Sequence, residues 1–167
     1  MTYTSAQANK LLRKLNDEHA ALLDKENRSK DFRAAMGEDV ESVRPVYDYA
    51  DTQKKLAELE QRIRHVKHAI NVFNATHVIP DFGMTIDEML VYIPQLTQRK
   101  NKLADMKARL PKQRVEEQYG RQSNIIDYTY ANYDLATVEA DYEKVSDELS
   151  RAQLALDAVN QRDTFEL

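Results

Sequence analysis

The chain of 167 residues contains no cysteine and no tryptophan, and it has only 3 glycines and 4 prolines. Without cysteine there can be no disulfide framework, thiolate nucleophile or cysteine-ligated metal. So few turn-forming residues, with a charged fraction of 31%, favour long helices over a strand-rich sandwich. No apolar run approaches the length of a membrane span, and the N-terminus lacks the apolar segment of a signal peptide. We therefore expect a mainly α, cytoplasmic protein that does not enter membranes and forms a single helical domain over residues 1–167.

Charge and motif content also exclude several classes of function. The net charge of -4 makes nucleic acid an unlikely general partner, since such binding needs a basic surface to displace counterions from phosphates. No nucleophile elbow, phosphate-binding loop or metalloprotease signature occurs in the sequence. His65 and His68 have a spacing that could hold metal, but Arg64 and Lys67 beside them repel cations. We expect a protein that is not an enzyme and that uses no cofactor and no metal.

Apolar periodicity predicts four amphipathic helices, over about residues 5–27, 48–74, 86–110 and 134–161. The second and fourth helices carry heptad seams typical of coiled coils, and Thr85 with Glu88 predicts a capping box. We expect a four-helix antiparallel bundle made of two helix pairs. Each seam position of the fourth helix lies 86 residues after one of the second. This indicates either a duplicated helix–connector–helix unit or two heptads that align only in phase.

Two connectors, about residues 38–47 and 122–132, are predicted to be extended. In the later one, every second side chain from Ile126 to Tyr130 points to the same side of an extended chain, which is typical of a strand with one covered face. A lone strand leaves its backbone groups unpaired. We therefore expect a small antiparallel β element formed from the two connectors, or pairing of the later connector with its copy in another subunit.

The third helix and its exit are strongly basic, and two interpretations are open. The acidic fourth helix can neutralise these cations, or they can form an anion pocket. The pocket requires Arg114 and Arg121 to meet the polar face of the tyrosine strand, where arginine binds phosphate and tyrosine stacks on a base. The candidate ligand-binding residues are Asn74, Arg99, Arg114, Arg121, Gln122, Asn124, Tyr128 and Tyr130.

Three segments carry a resemblance: "INVFNATHV" at residues 70–78, "MTIDEML" at 84–90 and the terminal "ALDAVNQRDTFEL". With the order of helices, they resemble a family of small uncharacterised bacterial helical proteins sometimes labelled septicolysin-like. The resemblance covers the chain from about Ala8 and implies a compact helical protein without recognised catalytic residues. The toxin label implies a cysteine-dependent pore-former, whereas this chain has no cysteine and no membrane-inserting segment. Its tyrosine connector is also longer than the family leads us to expect. The most specific positions are Asn71, Asn74, Thr76, Thr85, Glu88, Leu90 and Asn160.

The leading functional hypothesis is a non-enzymatic homo-oligomer that sequesters a small anionic, nucleotide-type ligand at subunit boundaries near the tyrosine connector. The partners would then be other copies of the chain and a phosphate-bearing small molecule. The alternative is a helical scaffold or protein–protein interaction module, in which the basic residues are salt-bridged to the fourth helix. A weaker alternative is a toxin component, which a liposome leakage assay would test.

Overall fold

A computed structural model describes residues 1–115 and 126–167. Within these residues the mainly α fold with small antiparallel β elements is confirmed, because long helices alternate with short paired strands. None of the described helices is long and apolar enough to cross a membrane. The helices are α1 (Ser5–Ser29), α2 (Val40–Val43), α3 (Tyr49–Thr76), α4 (Ile86–Lys107) and α5 (Leu135–Arg162). The strands pair as β1 (Thr2–Thr4) with β6 (Thr164–Glu166), β2 (Val78–Ile79) with β3 (Met84–Thr85), and β4 (Lys112–Arg114) with β5 (Tyr128–Tyr130).

The chain divides into two compact units. Unit 1 comprises Met1–His77 together with Ala158–Leu167, and unit 2 comprises Val78–Asp157. The expectation of one domain over the whole chain stays a prediction.

Unit 1 is built on the antiparallel pair α1 and α3. Ala8 and Leu15 of α1 are buried with Val66 and Ile70 of α3, on the apolar stripe that the sequence predicts. At the opposite end of the pair, Glu26 accepts hydrogen bonds from the Tyr47 hydroxyl at 2.6 Å and from Gln53 Nε2 at 2.7 Å. The apolar stripe and these polar contacts together fix the register of the two helices.

Unit 2 contains the antiparallel pair α4 and α5. The Tyr92 hydroxyl donates to Glu148 Oε1 at 2.5 Å near the start of α4, and Lys107 pairs with Glu139 at 3.0 Å at its end. The predicted capping box is present, since Glu88 N donates to Thr85 Oγ1 at 3.2 Å and Thr85 N donates to Glu88 Oε2 at 2.7 Å. The buried apolar residues of this unit are Ile79, Ile86, Met89, Leu96, Leu103, Val138, Val145, Leu149, Ala152 and Leu156.

The chain repeats one order of elements, namely a short strand, a long helix, a connector, a second long helix and a short strand. Helices α3 and α5 both have 28 residues. The first residues of the two helices are 86 positions apart, and so are their last residues. Equivalent aspartates, Asp48 and Asp134, cap the two helices by accepting a hydrogen bond from the backbone N–H three residues later. Helices α1 and α4 correspond at an offset of 81, and their cap residues, Thr4 and Thr85, both form capping boxes.

The strand registers follow the same offsets. Thr4 faces Thr164 in the pair β1–β6, and Thr85 faces Val78 in the pair β2–β3. These are the same pairing in the two halves, because Thr85 corresponds to Thr4 and Thr164 corresponds to Val78. Two heptads that aligned only in phase would not reproduce a strand register. The duplicated-unit interpretation therefore accounts for the structure better than the alternative.

The β element of the connectors differs from its prediction. Strand β5 pairs with β4, which follows α4 directly, and not with the first connector. Residues 40–43 of the first connector form α2 and not a strand, because Asp39 caps them by accepting from Glu41 N. Pairing β5 with the nearer segment also closes a much shorter loop, which costs roughly 1–2 kcal/mol less entropy than pairing with residues 38–47.

Candidate ligand-binding site

Strands β4 and β5 form a two-stranded antiparallel ribbon in unit 2, called here the tyrosine ribbon. Val115 N donates to Asp127 O at 3.0 Å, and Ala131 N donates to Pro111 O at 3.1 Å. Because hydrogen-bonded and non-hydrogen-bonded pairs alternate along such a ladder, the pairs 112–130 and 114–128 are non-hydrogen-bonded. At these positions the Cα atoms are only about 4.5 Å apart and the side chains lie closest.

One face of the ribbon combines two cations with two phenol rings. Lys112 lies opposite Tyr130, and Arg114 lies opposite Tyr128, so the four side chains share a face that we call the cationic face. The Lys112 Nζ atom is 4.1 Å from the centroid of the Tyr128 ring and 5.5 Å from that of Tyr130. Both tyrosines are exposed, at 44% and 61% of their surface. The arrangement can offer positive charge and flat aromatic surface to the same ligand.

The other face of the ribbon borders a groove at the end of α4. Gln113 and Thr129 belong to this face, and the groove has a volume of about 280 Å³. The Tyr133 hydroxyl closes one wall by donating to Met106 O at 2.9 Å. The full lining is Met106, Arg109, Leu110, Gln113, Thr129, Tyr130, Ala131 and Tyr133.

Part of the basic surface of α4 is neutralised by α5. Lys107 Nζ lies 3.0 Å from Glu139 and 3.4 Å from Glu143, and the hydrogen bond that Lys107 donates to Glu139 is the main reason that the pKa of Lys107 is raised. Lys107 also lies 4.9 Å above the Tyr142 ring. The interpretation of internal compensation therefore holds for Lys107. Within the described part of the chain, Lys112 and Arg114 are in no salt bridge.

The structure brings together three of the residues predicted from the sequence. Arg114, Tyr128 and Tyr130 lie on the cationic face. Arg114 was predicted to meet the polar face of the tyrosine strand, and this is wrong, because the register places it opposite Tyr128. The strand was also expected to have one covered face, whereas all three residues of β5 are exposed. The predicted residues Arg121, Gln122 and Asn124 lie outside the described residues, as does the start of the second connector.

Arg99 and Asn74 are placed elsewhere. Arg99 is an exposed residue of α4, eight residues before the helix ends, which is about 12 Å along its axis. Asn74 lies in unit 1 near the end of α3, and its Oδ1 atom is buried without a hydrogen-bond partner among the described residues. Neither residue is part of the ribbon or its groove.

Sequence reasoning missed three residues of the site. Arg109 and Lys112 were counted only among the basic residues of the third helix and its exit, and Tyr133 was considered for a stacking platform with Tyr128 and Tyr130 but was not among the predicted ligand-binding residues. The signal was present in "KQR" at residues 112–114, where cations alternate with the same period as the tyrosines of "YTY". Two short segments with cations in one and rings in the other indicate a mixed face once they are paired.

A second polar cluster lies in unit 1. His77 Nε2 is 2.7 Å from Asp163 Oδ2, and the His77 ring stacks on Phe73 with centroids 4.6 Å apart. Arg162 Nε donates to the other oxygen of Asp163 at 2.8 Å, and this bond, with a smaller contribution from His77, lowers the pKa of Asp163. His77 and Asp163 are equivalent positions of the two halves, so this contact joins the ends of α3 and α5.

Comparison with known proteins supports the fold. Neither a family model nor a curated protein matches this chain. A solved structure of "a functionally unknown conserved protein from Corynebacterium diphtheriae" is similar over 99% of this chain and 100% of its own, with a TM-score of 0.60 and 16% identity. At this identity the likeness shows a common fold and nothing about ligands. The resemblance to septicolysin-like proteins therefore stays an expectation.

Proposed function

We propose that this protein is a non-enzymatic binding protein that holds a small, phosphate-bearing, nucleotide-type ligand on the tyrosine ribbon. The observation that carries the proposal is the cationic face, where Lys112 and Arg114 stand beside Tyr128 and Tyr130. Arginine and lysine bind phosphate through charge-assisted hydrogen bonds, and tyrosine rings stack on bases. Each half of a nucleotide thus has a matching group on this face.

The energies favour a base over the lysine as the partner of the tyrosine rings. An exposed cation–π contact such as that of Lys112 with Tyr128 stabilises by about 0.5–1 kcal/mol. Stacking of a base on an aromatic side chain contributes about 1–3 kcal/mol. A base can therefore displace Lys112 from the ring, and the released ammonium group can turn to the phosphate.

The groove supports the proposal as a concave neighbour of the ribbon. Its volume of about 280 Å³ is near the lower end of ligand pockets, which start at roughly 300 Å³. Arg109 and Gln113 add donors there, and Tyr130 borders both the groove and the cationic face. Part of a ligand that starts on the cationic face can continue into the groove around Tyr130.

We also propose that the protein binds its ligand without changing it and that it acts as a homo-oligomer in the cytoplasm. The cationic face consists of lysine, arginine and tyrosine, which suit anion binding, and it contains no carboxylate or imidazole for proton transfer near neutral pH. Each strand of the ribbon has an outer edge that pairs with no strand in the described residues. Such edges can pair between copies, which would place the site at a subunit boundary.

Native mass spectrometry with a panel of linear and cyclic nucleotides tests ligand and oligomeric state together. We expect a nucleotide to be retained by an oligomer, and Tyr128→Ala to weaken its binding about 5- to 150-fold, the loss of one stacked base. A second substitution, Arg114→Ala, should also weaken nucleotide binding. Tyr49→Ala is the matched control, because Tyr49 is a 67% exposed tyrosine on α3 in unit 1. Failure of every phosphate-bearing compound to bind, or an equal loss with Tyr49→Ala, would contradict the proposal.

The alternative function is a helical scaffold or interaction module. The observation that favours it is the set of large apolar side chains exposed on the long helices of unit 2, namely Leu90, Val91 and Leu154. This function predicts that Leu154→Glu abolishes association with a helical partner, while Tyr128→Ala leaves it unchanged. The two functions are thus separated by which of these substitutions changes binding.

A further inference from the structure

We infer that the ligand of the cationic face is a dinucleotide, with two bases and two phosphates. The inference rests on the proposed function and specifies the class of ligand for the same site. It comes from the fact that the face contains two cross-strand pairs of identical make-up. Each pair has one cation and one ring, as Lys112 with Tyr130 and as Arg114 with Tyr128.

The positions of the two rings exclude a shared base. The centroids of Tyr128 and Tyr130 are 6.5 Å apart and the ring planes are inclined by 51°. A planar base can stack between two rings only if the ring planes are nearly parallel, with one ring on each of its faces. The inclination of 51° prevents contact with both rings at once. Each tyrosine therefore offers a surface to a base of its own.

The spacing of the two pairs is a property of the strand itself. Residues two apart on a strand are separated by about 6.6–6.8 Å, close to the 6.5 Å between the two ring centroids. Bases held at this spacing are unstacked from one another, as in single-stranded chains bound on aromatic side chains. A ligand with one base would use one pair and leave the other unoccupied.

The charges on the face agree with two phosphates. Lys112 and Arg114 have the same spacing along β4 as the tyrosines have along β5. The cation and ring of each pair belong to directly opposed residues at a non-hydrogen-bonded position, where the backbones are closest, and the Lys112 Nζ atom reaches both rings, at 4.1 Å from Tyr128 and 5.5 Å from Tyr130. Phosphate and base of one nucleotide can thus be bound by one pair, and the next nucleotide by the other.

Calorimetric titration of the full chain with three probes tests the inference. The probes are adenosine 5′-monophosphate and the 5′-phosphorylated adenosine dinucleotide and tetranucleotide. We expect the dinucleotide to bind about 5- to 150-fold tighter than the mononucleotide, which is the contribution of one further stacked base. The tetranucleotide should bind no more than a few-fold tighter than the dinucleotide.

Substitution of one tyrosine should remove the binding of one of the two nucleotides. Tyr130→Ala is expected to reduce the affinity for the dinucleotide to near that for the mononucleotide, whereas Tyr130→Phe, which keeps the ring, should preserve it. Tyr49→Ala should change nothing. Both positions are exposed, so circular dichroism of the three variants should show an unchanged fold.

The outcomes separate this inference from the proposed function. Equal affinity for mononucleotide and dinucleotide would overturn the dinucleotide assignment and leave a one-nucleotide site. A further gain of similar size with the tetranucleotide would overturn it in favour of an extended single-strand surface. Absence of binding by all three adenine probes would overturn it, and the proposed function would fail only if the wider nucleotide panel also gave no binding.

Discussion

The two connectors of the molecule occupy equivalent places in its two halves, yet they are built differently. Each is followed by a tyrosine and a capping aspartate, Tyr47 with Asp48 and Tyr133 with Asp134. Each tyrosine hydroxyl donates back to the end of the preceding long helix, Tyr47 to Glu26 of α1 and Tyr133 to Met106 O of α4. The two connectors are thus joined to their helices in the same way, but their sequences and secondary structures differ.

The difference lies in how their cations are used. In the first connector, Arg44 makes two hydrogen bonds to Glu41, at 2.7 and 2.8 Å, and lies 5.2 Å from the centroid of the Phe32 ring. Glu41 has its pKa lowered chiefly by this hydrogen bond, so the charge of Arg44 is locally neutralised. In the second half, Lys112 of β4 lies over the tyrosine rings of the connector, and no carboxylate is opposite it in the ribbon. The first connector thus neutralises its cation internally, whereas the ribbon presents Lys112 beside aromatic rings, as the proposed anion site requires.

The largest expected effect tests whether α1 and α4, the helices that precede the two connectors, are equivalent in the two halves. Leu15 and Leu96 correspond at the offset of 81, and each is 1% exposed. Leu15→Ala and Leu96→Ala should each lower the free energy of unfolding by about 2–5 kcal/mol through lost burial and a residual cavity. Urea denaturation measures both. Leu154→Ala, at a 70% exposed site, should stay within about 0.5 kcal/mol. A loss below about 1 kcal/mol at either core position would break the comparison.

The next largest expected effect concerns Tyr47, which precedes Asp48, the N-cap residue of α3. The hydrogen bond to Glu26 raises the pKa of Tyr47 to about 12, because only the neutral phenol can donate to the carboxylate. Since the folded pKa lies above the unfolded value of about 10, this contribution to stability is present below pH 10 and is lost as pH rises through 12.

An ultraviolet titration of wild type against Tyr47→Phe should resolve one tyrosine that ionises near pH 12. Glu26→Gln should shift this transition down towards 10. The matched control is Glu18→Gln, which removes a carboxylate of α1 that pairs with Lys14 and not with tyrosine. An unchanged transition in Glu26→Gln would show that the bond does not form in solution.

Local signals in the sequence were sufficient to predict the four long helices, but not the short helix α2. Apolar periodicity located α1, α3, α4 and α5, and the start of α4 was predicted at the observed residue because Thr85 and Glu88 form a capping box. The largest error at a helix boundary is at the other end of α4, which ends at Lys107 and not near residue 110. No capping glycine marks that end, so the pattern could not locate it.

The site was less predictable because it depends on strand pairing. The tyrosine strand was recognised from its alternation, but its partner is set by which segment closes the shorter loop. A register shift of one residue moves every side chain of a strand to the other face, which is why Arg114 was assigned to the wrong side. Lys112 could be recognised as part of the site only once that register was known.

The smallest expected effect distinguishes the two capping boxes by charge. At the start of α1, Thr4 N donates to the neutral amide of Gln7 at 3.0 Å, whereas at α4 Thr85 N donates to the carboxylate of Glu88 at 2.7 Å. The bonds from the backbone and side chain of Thr85 lower the pKa of Glu88. Because the folded pKa lies below the unfolded one, the contribution of this box is present above about pH 4.3 and is lost as pH falls through the folded value.

The free energy of unfolding, measured between about pH 3 and pH 7, should therefore depend on pH, and Glu88→Gln should remove part of that dependence. Gln7→Glu should add the same dependence at α1, because it converts the first box into the second. The expected change is small, since Glu88 is exposed and salt screens it, so both variants are compared at low ionic strength. If Gln7→Glu adds pH dependence and Glu88→Gln removes none, the bond at Thr85 is not formed, and the two helix starts are equivalent in sequence but not in energy.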